Sequence, residues 1–300
     1  VSNTTGSANT AVGHDSLDSN TTGCWNTAIG KFALQANTTA TFNTAIGACS
    51  LYTNTTGAKN VAVGYQALRV NTGGHYNTTS GVYSMYQNTT GSYNTASGML
   101  AMRCNTTGSY NTASGAYALC LNTTGCFNAG FGYFSIRANT TGTYNTAIGT
   151  YALLANTTGN NNSALGMEAL KDNTTGCYNV ATGSYSLTDN TTGDKNAAHG
   201  YQALYYNTTA ELNTASGYRA LFSNTTANQN TAFGACSLYA NTTGSNNVAV
   251  GYKTLVANTT GGCNTGMGNL TMAANTTGSG NTALGRAALN ENSTGSCNVG

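Results

Sequence analysis

The feature that most constrains this chain is a repeat of seventeen residues that runs through the whole sequence. It is clearest at residues 105–121, which read NTTGSYNTASGAYALCL. Counted from the first Asn of each repeat, position 1 falls at Asn3, Asn20, Asn37 and every seventeenth residue up to Asn292, with no insertion or deletion. A fixed period of this kind is typical of a stack of similar structural units.

Charge and composition limit the functions that such a stack can have. Charged residues make up only 6% of the chain and the formal net charge is +2, so nucleic acid and anionic membranes are not expected partners. Proline is absent, and no apolar run approaches the ~20 residues of a membrane-spanning helix. We interpret residues 1–300 as a single uncapped repeat array and as a segment of a longer extracellular fibre.

Several positions of the repeat hardly vary within the chain. Positions 1 and 7 are always Asn, position 11 is always Gly, and position 15 is Leu, Met or Ile. Positions 7, 9 and 11 alternate with positions 8, 10 and 12, which predicts a strand with its small residues facing inward. Positions 13–15 are expected to form a second short strand, and the NTTG segment a turn.

We therefore predict an all-β fold, a β-solenoid (parallel β-roll or β-helix) with one repeat per coil and about seventeen and a half coils. A short helix at positions 12–17 is the alternative, and the recurrent Gly, Asn and Thr disfavour it. Position 15 provides one large inward side chain per coil. In the first seven repeats this core column consists of Leu17, Leu34, Leu51, Leu68, Met85, Met102 and Leu119.

Stacked coils place identical side chains above one another, which predicts two ladders of Asn amides along the axis. Each amide is expected to donate to the next coil and to accept from the previous one. In the first seven repeats the ladders consist of Asn3, Asn20, Asn37, Asn54, Asn71, Asn88 and Asn105 at position 1, and of Asn9, Asn26, Asn43, Asn60, Asn77, Asn94 and Asn111 at position 7. At position 11, Gly13, Gly30, Gly47 and Gly64 are expected to provide turns or close packing.

Two segments resemble a known family. NTAIGKFAL at residues 26–34 and NVAVGYQAL at residues 60–68 resemble the head repeats of YadA-like trimeric autotransporter adhesins, and also the Asn/Thr-rich repeats of phage-type tail-fibre-domain proteins. The adhesin heads form a left-handed, trimeric parallel β-roll with a shorter coil. The resemblance implies an extracellular fibre located at a cell or virion surface, and it implies no catalytic activity.

Residues able to perform chemistry are scattered over the repeat. His14, His75 and His199 occupy positions 12, 5 and 10, and the eight acidic residues are equally dispersed. A rigid stack does not bring such residues together, so we expect no enzyme and no cofactor. The NTTG turn lacks the Asp of calcium-binding β-rolls, so no metal site is expected. The nine cysteines are expected to be free or joined between chains, with Cys104 and Cys120 as the only loosely plausible internal pair.

Three outward features are candidates for contact with other molecules. Position 10 is apolar in many coils, and a lateral interface is predicted at Ile29, Ile46, Val63, Phe131, Ile148 and Leu165. The alternative is that this column fills a second core under a folded turn. Position 6 is aromatic in five successive repeats, at Tyr76, Tyr93, Tyr110, Phe127 and Tyr144. These rings either stack to stabilise the array or bind sugars or a neighbouring fibre.

Glycosylation sequons occur at position 1 in every repeat except the one at Asn71, but the ladder places these Asn side chains inside. Asn161 and Asn269 begin sequons at variable positions and are the better candidates. We predict a structural extracellular filament or surface-fibre shaft with adhesion as its use. Its expected partners are copies of itself, laterally, end to end or as a trimer, and surface carbohydrate. The alternative is a carbohydrate- or ice-binding module that uses its Tyr-rich flank or the Thr residues at positions 2 and 3.

Overall fold

The computed structural model describes residues 2–300 and has the predicted β-solenoid fold, with strands that recur every seventeen residues. None of these residues is helical, so the described chain contains no helix that could cross a membrane. The chain divides into two compact units, Val1–Ala147 and Ile148–Gly300.

Each strand is three residues long and occupies positions 8–10 of its repeat. The strands of the first unit are β1 (Thr10–Val12), β2 (Thr27–Ile29), β3 (Thr44–Ile46), β4 (Val61–Val63), β5 (Thr78–Ser80), β6 (Thr95–Ser97), β7 (Thr112–Ser114) and β8 (Ala129–Phe131). Strand β9 (Thr146–Ile148) falls where the two units divide. The strands of the second unit are β10 (Ser163–Leu165), β11 (Val180–Thr182), β12 (Ala197–His199), β13 (Thr214–Ser216), β14 (Thr231–Phe233), β15 (Val248–Val250), β16 (Thr265–Met267) and β17 (Thr282–Leu284).

Neighbouring strands within a unit pair in parallel with a constant offset. Strand β2 aligns its three residues with Thr44, Ala45 and Ile46 of β3, and β14 pairs with β15 at the same positions of the repeat. The offset is one repeat, so identical positions form files that run from coil to coil. In the strands after β1 the middle residue, usually Ala, faces the core, while the outer two are exposed or half-buried.

The core column at position 15 is confirmed. Leu17 in the first coil is 4% exposed, and the other six predicted members, from Leu34 to Leu119, are fully buried. Each buried side chain of this size contributes about 1.5–3 kcal/mol relative to exposure. A single large apolar residue per coil is a thin core, so hydrogen bonds between coils must provide much of the remaining stability.

The predicted second strand at positions 13–15 is wrong, because this segment is a turn. Residues at positions 13 and 15 have left-handed backbones, with φ of 62° at Phe32 and 51° at Leu34. A β-strand requires negative φ. Their amides still bond across coils: the Phe32 N–H donates to the His14 carbonyl (2.9 Å) and the Leu34 N–H to the Ser50 carbonyl (3.1 Å). Left-handed φ is strained for residues with a Cβ, and these bonds offset the strain.

The Asn ladder at position 1 is present, but its direction is opposite to the prediction. Asn37 Nδ2 donates to Asn20 Oδ1 in the previous coil (2.8 Å) and to the Ala40 carbonyl in its own turn (3.1 Å). Because both N–H groups of the Asn37 amide are used in this way, Asn37 Oδ1 points towards the next coil and accepts from Asn54 Nδ2 (3.2 Å). The carbonyl of position 4 therefore sets the orientation of the ladder.

The position-7 file is also bonded coil to coil, but chiefly through the main chain. Asn43 Oδ1 accepts the backbone N–H of Asn60 (3.0 Å), and Asn43 Nδ2 donates to the Gly57 carbonyl (2.9 Å). The Gly57 carbonyl also accepts Asn54 Nδ2 (2.8 Å), so the two ladders meet at position 4. Asn3 and Asn9 in the first coil are partly or fully exposed, and the other twelve predicted ladder residues are fully buried.

Glycine at position 11 is required for close packing, as predicted for Gly13, Gly30, Gly47 and Gly64. Gly30 has φ of 131°, a region that favours glycine. A Cβ on Gly30 would lie 2.7 Å from the carbonyl carbon of Gly47 in the next coil. Any side chain at this position would push the coils apart.

Candidate functional site

The outward side chains form files along the coils, and these files are the candidate functional surfaces. Residues 2–300 contain no pocket and no group of three or more His, Cys, Asp and Glu residues that could hold a metal. The histidines have local contacts in separate coils: His14 Nδ1 lies 3.0 Å from Asp15, His75 Nδ1 accepts the Ala58 N–H (3.0 Å), and His199 Nδ1 contacts Thr182 Oγ1 (2.6 Å).

The apolar file at position 10 is exposed. In the first unit Ile29, Ile46 and Val63 are each 37–39% exposed and Phe131 is 40% exposed. In the second unit Ile148 and Leu165 are also exposed. In residues 2–300 these side chains are exposed and are not covered by a turn, so the alternative of a second, outer core is wrong. The six predicted interface residues are therefore accessible to another molecule.

The aromatic residues at position 6 stack as a continuous column in the first unit. The five rings from Tyr76 to Tyr144 have centroids 4.8–5.0 Å apart and planes within 6° of one another. Such contacts stabilise the array, as one of the two interpretations expects. The interior rings cover one another's faces and expose only their edges, so a sugar cannot stack on those faces.

The ammonium group of Lys59 lies at the Tyr76 end of this column. Lys59 Nζ lies 4.8 Å from the centroid of the Tyr76 ring and 2.8 Å from its hydroxyl oxygen. This hydrogen bond to the hydroxyl, with a smaller charge interaction, raises the pKa of Lys59 above its usual value. The ammonium therefore covers the one ring face that the neighbouring aromatic ring leaves open at Tyr76.

A second set of side chains at position 16 was missed in the sequence analysis. Arg69, Arg103 and Arg137 occupy this position at intervals of 34 residues, one in every second coil. Arg69 lies between the rings of Tyr52 (5.1 Å) and Tyr86 (5.7 Å), and its Nη1 donates to Tyr86 Oη (3.0 Å). The 34-residue spacing is visible in the sequence, but it falls at a variable position where single residues carry little signal.

All nine cysteines are free thiols. Burial raises the pKa of the Cys120 thiol, and the nearby Cys104 raises it further. Cys24 is different: hydrogen bonds from the backbone and the hydroxyl of Ser7 lower the pKa of its thiol. Cys24 is therefore the more readily ionised of the two thiols.

The two candidate glycosylation residues, Asn161 and Asn269, are exposed. The Asn residues at position 1 from Asn20 to Asn105 are instead buried, and their amide nitrogens are bonded in the ladder. A glycosyltransferase could reach the side chains of Asn161 and Asn269 without unfolding a coil. Modification at these residues stays a prediction.

No protein-family model matches the chain, and no curated protein matches it. The resemblance to adhesin heads and tail-fibre repeats therefore stays a prediction that rests on the segments at residues 26–34 and 60–68. The functional argument depends on the geometry of the coils and of their exposed files.

Proposed function

We propose that the chain is the shaft of an extracellular filament or surface fibre, with adhesion as the use of its exposed flanks. The observation that carries this proposal is that successive coils of a unit are joined by the same bonds. The Thr44 N–H donates to the Asn60 carbonyl (2.8 Å), and three coils later the Thr95 N–H donates to the Asn111 carbonyl (2.9 Å). An array joined in this way lengthens by repetition alone. On this proposal the chain is not an enzyme and takes no cofactor.

The sheet face at positions 8 and 10 supports lateral self-association. Between β2 and β8 neither position holds a charged residue, and apolar side chains such as Ile29 and Ile46 are exposed there. Exposed apolar strips of this kind mark interaction surfaces. A second copy of the chain has the same coil spacing, so the side chains of two sheets can meet in register along several coils. Dimers, trimers and larger bundles are all compatible with this contact.

A matched pair of triple variants tests the proposal. Electron microscopy and analytical ultracentrifugation are expected to show laterally associated fibres for the unmodified chain. Ile29→Lys, Ile46→Lys and Val63→Lys together should yield thin, unassociated fibres, because lysines would be buried in the interface. Thr22→Lys, Thr39→Lys and Thr56→Lys add the same charge to the same three coils on another face and should leave association intact.

Two results would contradict the proposal. If the unmodified chain is strictly monomeric, the proposal of a fibre is wrong. If the two triple variants behave equally, the proposal of a lateral interface is wrong.

The alternative of a carbohydrate- or ice-binding module has weaker support. The Thr hydroxyls at position 2 are used between coils, as when Thr106 Oγ1 donates to the Thr123 carbonyl (3.0 Å). Of positions 2 and 3, only position 3, with Thr107 and Thr124, faces outward, so these two positions do not form the flat double rank that ice binding favours. Freezing-point hysteresis in solution would support the alternative over the shaft.

A further inference from the structure

The first unit carries positive charge with little to neutralise it. It holds five Lys and Arg residues against two acids, Asp15 and Asp18, and both acids belong to the first repeat. Arg69, Arg103 and Arg137 share position 16 and recur in every second coil. At ~4.8 Å per coil, successive arginines are about 9.6 Å apart.

The guanidinium groups of Arg69 and Arg137 lie over aromatic rings, and none of the three arginines has an acidic partner. The ion pairs among the described residues are His14–Asp15 and Lys171–Glu168, and neither includes these arginines. Arg137 lies over the Phe134 ring at 5.2 Å, in the same manner as Arg69 over Tyr52. Contact with a ring face leaves the in-plane N–H donors of a guanidinium available.

The donor capacity of these arginines is not fully used within the chain. Nε of Arg69 and Nε of Arg137 are buried without a hydrogen-bond partner, and the side chain of Arg103 is exposed. A carboxylate that pairs side-on with a guanidinium uses Nε together with one Nη. Such a pair at Arg69 or Arg137 requires the side chain to rotate, because the Nε atom is buried in the free chain.

We propose that the position-16 file of Arg69, Arg103 and Arg137 binds a linear acidic polysaccharide in which every second sugar carries a carboxylate. In an extended chain of this type the carboxylates recur once per disaccharide, a distance comparable to two coils. Tyr83 and Tyr86, whose ring centroids are 5.8 Å apart, provide apolar surface for the sugar rings beside the arginines.

Nucleic acid fits this file less well. Each strand of a duplex carries one phosphate per ~3.4 Å of helix axis, a much denser spacing than that of the arginines. The proposal specifies a ligand for the adhesive use and in that sense rests on the proposed function.

Isothermal titration calorimetry with hyaluronan oligosaccharides, which alternate a uronic acid with an N-acetylated sugar, tests the proposal. The unmodified chain is expected to bind. The triple variant Arg69→Gln, Arg103→Gln and Arg137→Gln should lose more than about tenfold in affinity, since charge-assisted pairs are removed. The control variant Lys59→Gln, Lys195→Gln and Lys253→Gln removes the same charge and should bind within about twofold of the unmodified chain, because these lysines lie at repeat positions 6 and 13, outside the position-16 file.

Arg103→Gln alone is the control for a folding defect, because the Arg103 side chain is exposed, and it should weaken binding by a smaller factor. The proposal is overturned if the unmodified chain does not bind, if the arginine and lysine variants lose affinity equally, or if carboxyl-reduced hyaluronan or polyuridylate binds as tightly. If fibres form but do not bind the polysaccharide, only the proposed polysaccharide site is wrong. If the chain binds but forms no fibres, only the proposed shaft function is wrong.

Discussion

At the scale of single residues, asparagine at position 1 is held by contacts that an apolar side chain cannot make. Asn105 Nδ2 donates to Asn88 Oδ1 (2.8 Å) and to the Gly108 carbonyl (2.9 Å), while Asn105 Oδ1 accepts from Asn122 (2.8 Å). All of these groups are shielded from water. The Asn amide therefore stabilises the fold only when it is stacked on the same amide of adjacent coils, because each amide provides a hydrogen-bond partner for the next one.

Asn105→Ala is expected to destabilise the first unit by about 2–4 kcal/mol, since each buried polar group left without a partner costs about 1–3 kcal/mol. Urea denaturation monitored by circular dichroism measures this difference. Thr107→Ala is the control in the same coil: its side chain is exposed, and the change should stay within about 0.5 kcal/mol. Equal stability of the two variants would contradict the ladder.

Two glycines of the first unit differ sharply in what a methyl group would meet. Gly47 has φ of 133° and its Cβ would lie 2.7 Å from the carbonyl carbon of Gly64, whereas a Cβ on Gly73 would come no closer than 3.6 Å to Thr56 Oγ1. We expect Gly47→Ala to destabilise the first unit by at least about 2 kcal/mol. Gly73→Ala should stabilise it by about 0.4–1 kcal/mol. Thermal unfolding of both variants checks the two signs, and a neutral Gly47→Ala would refute close packing at position 11.

At the scale of the coil, the sequence predicts the strand at positions 8–10 well because alternation of small and exposed residues has a single interpretation. It does not reveal the left-handed residues at positions 13 and 15. Gly or Asn would indicate positive φ there, but Met85 and Ile136 adopt φ of 49° and 48° with side chains that normally avoid it. Their burial and the bonds between coils override local preference.

The candidate surfaces likewise differ in whether the sequence predicts them. The exposed file at position 10 follows directly from alternation along the strand. The arginines at position 16 lie in the turn, where sequence alternation carries no information about side-chain direction. Only the structure places Tyr52 and Tyr86 on either side of Arg69.

The aromatic column allows a test at this scale. Tyr110 stacks between Tyr93 (5.0 Å) and Phe127 (4.9 Å), so Tyr110→Ala is expected to cost about 1–3 kcal/mol, at about 0.5–1.5 kcal/mol for each stacked pair. Tyr178→Ala is the matched control, since Tyr178 is also exposed at position 6 but has Asn161 and Lys195, not aromatic residues, at position 6 of the adjacent repeats. Denaturant midpoints compare the two variants. If they lose equal stability, ring stacking does not stabilise the column.

At the scale of the whole molecule, each unit is held by contacts between neighbouring coils. Stability in such arrays is approximately a sum of terms for single coils and for the interfaces between them. One core side chain per coil is too little to hold an isolated repeat, and the ladders are satisfied only when coils are stacked. Assembly into longer or thicker particles would add contacts of the same kind. The architecture therefore supports the proposed shaft.

The most direct test of this architecture is the distance between spin labels at position 3, measured by double electron–electron resonance in a background without the nine cysteines. Thr22 is paired in turn with Thr90, Thr107 and Thr124, which are all exposed and lie in the first unit. If each seventeen-residue repeat is one coil, the distances are about 19, 24 and 29 Å and rise by ~4.8 Å for each added repeat. Distances that do not increase by this constant step would contradict the solenoid, and with it both proposals.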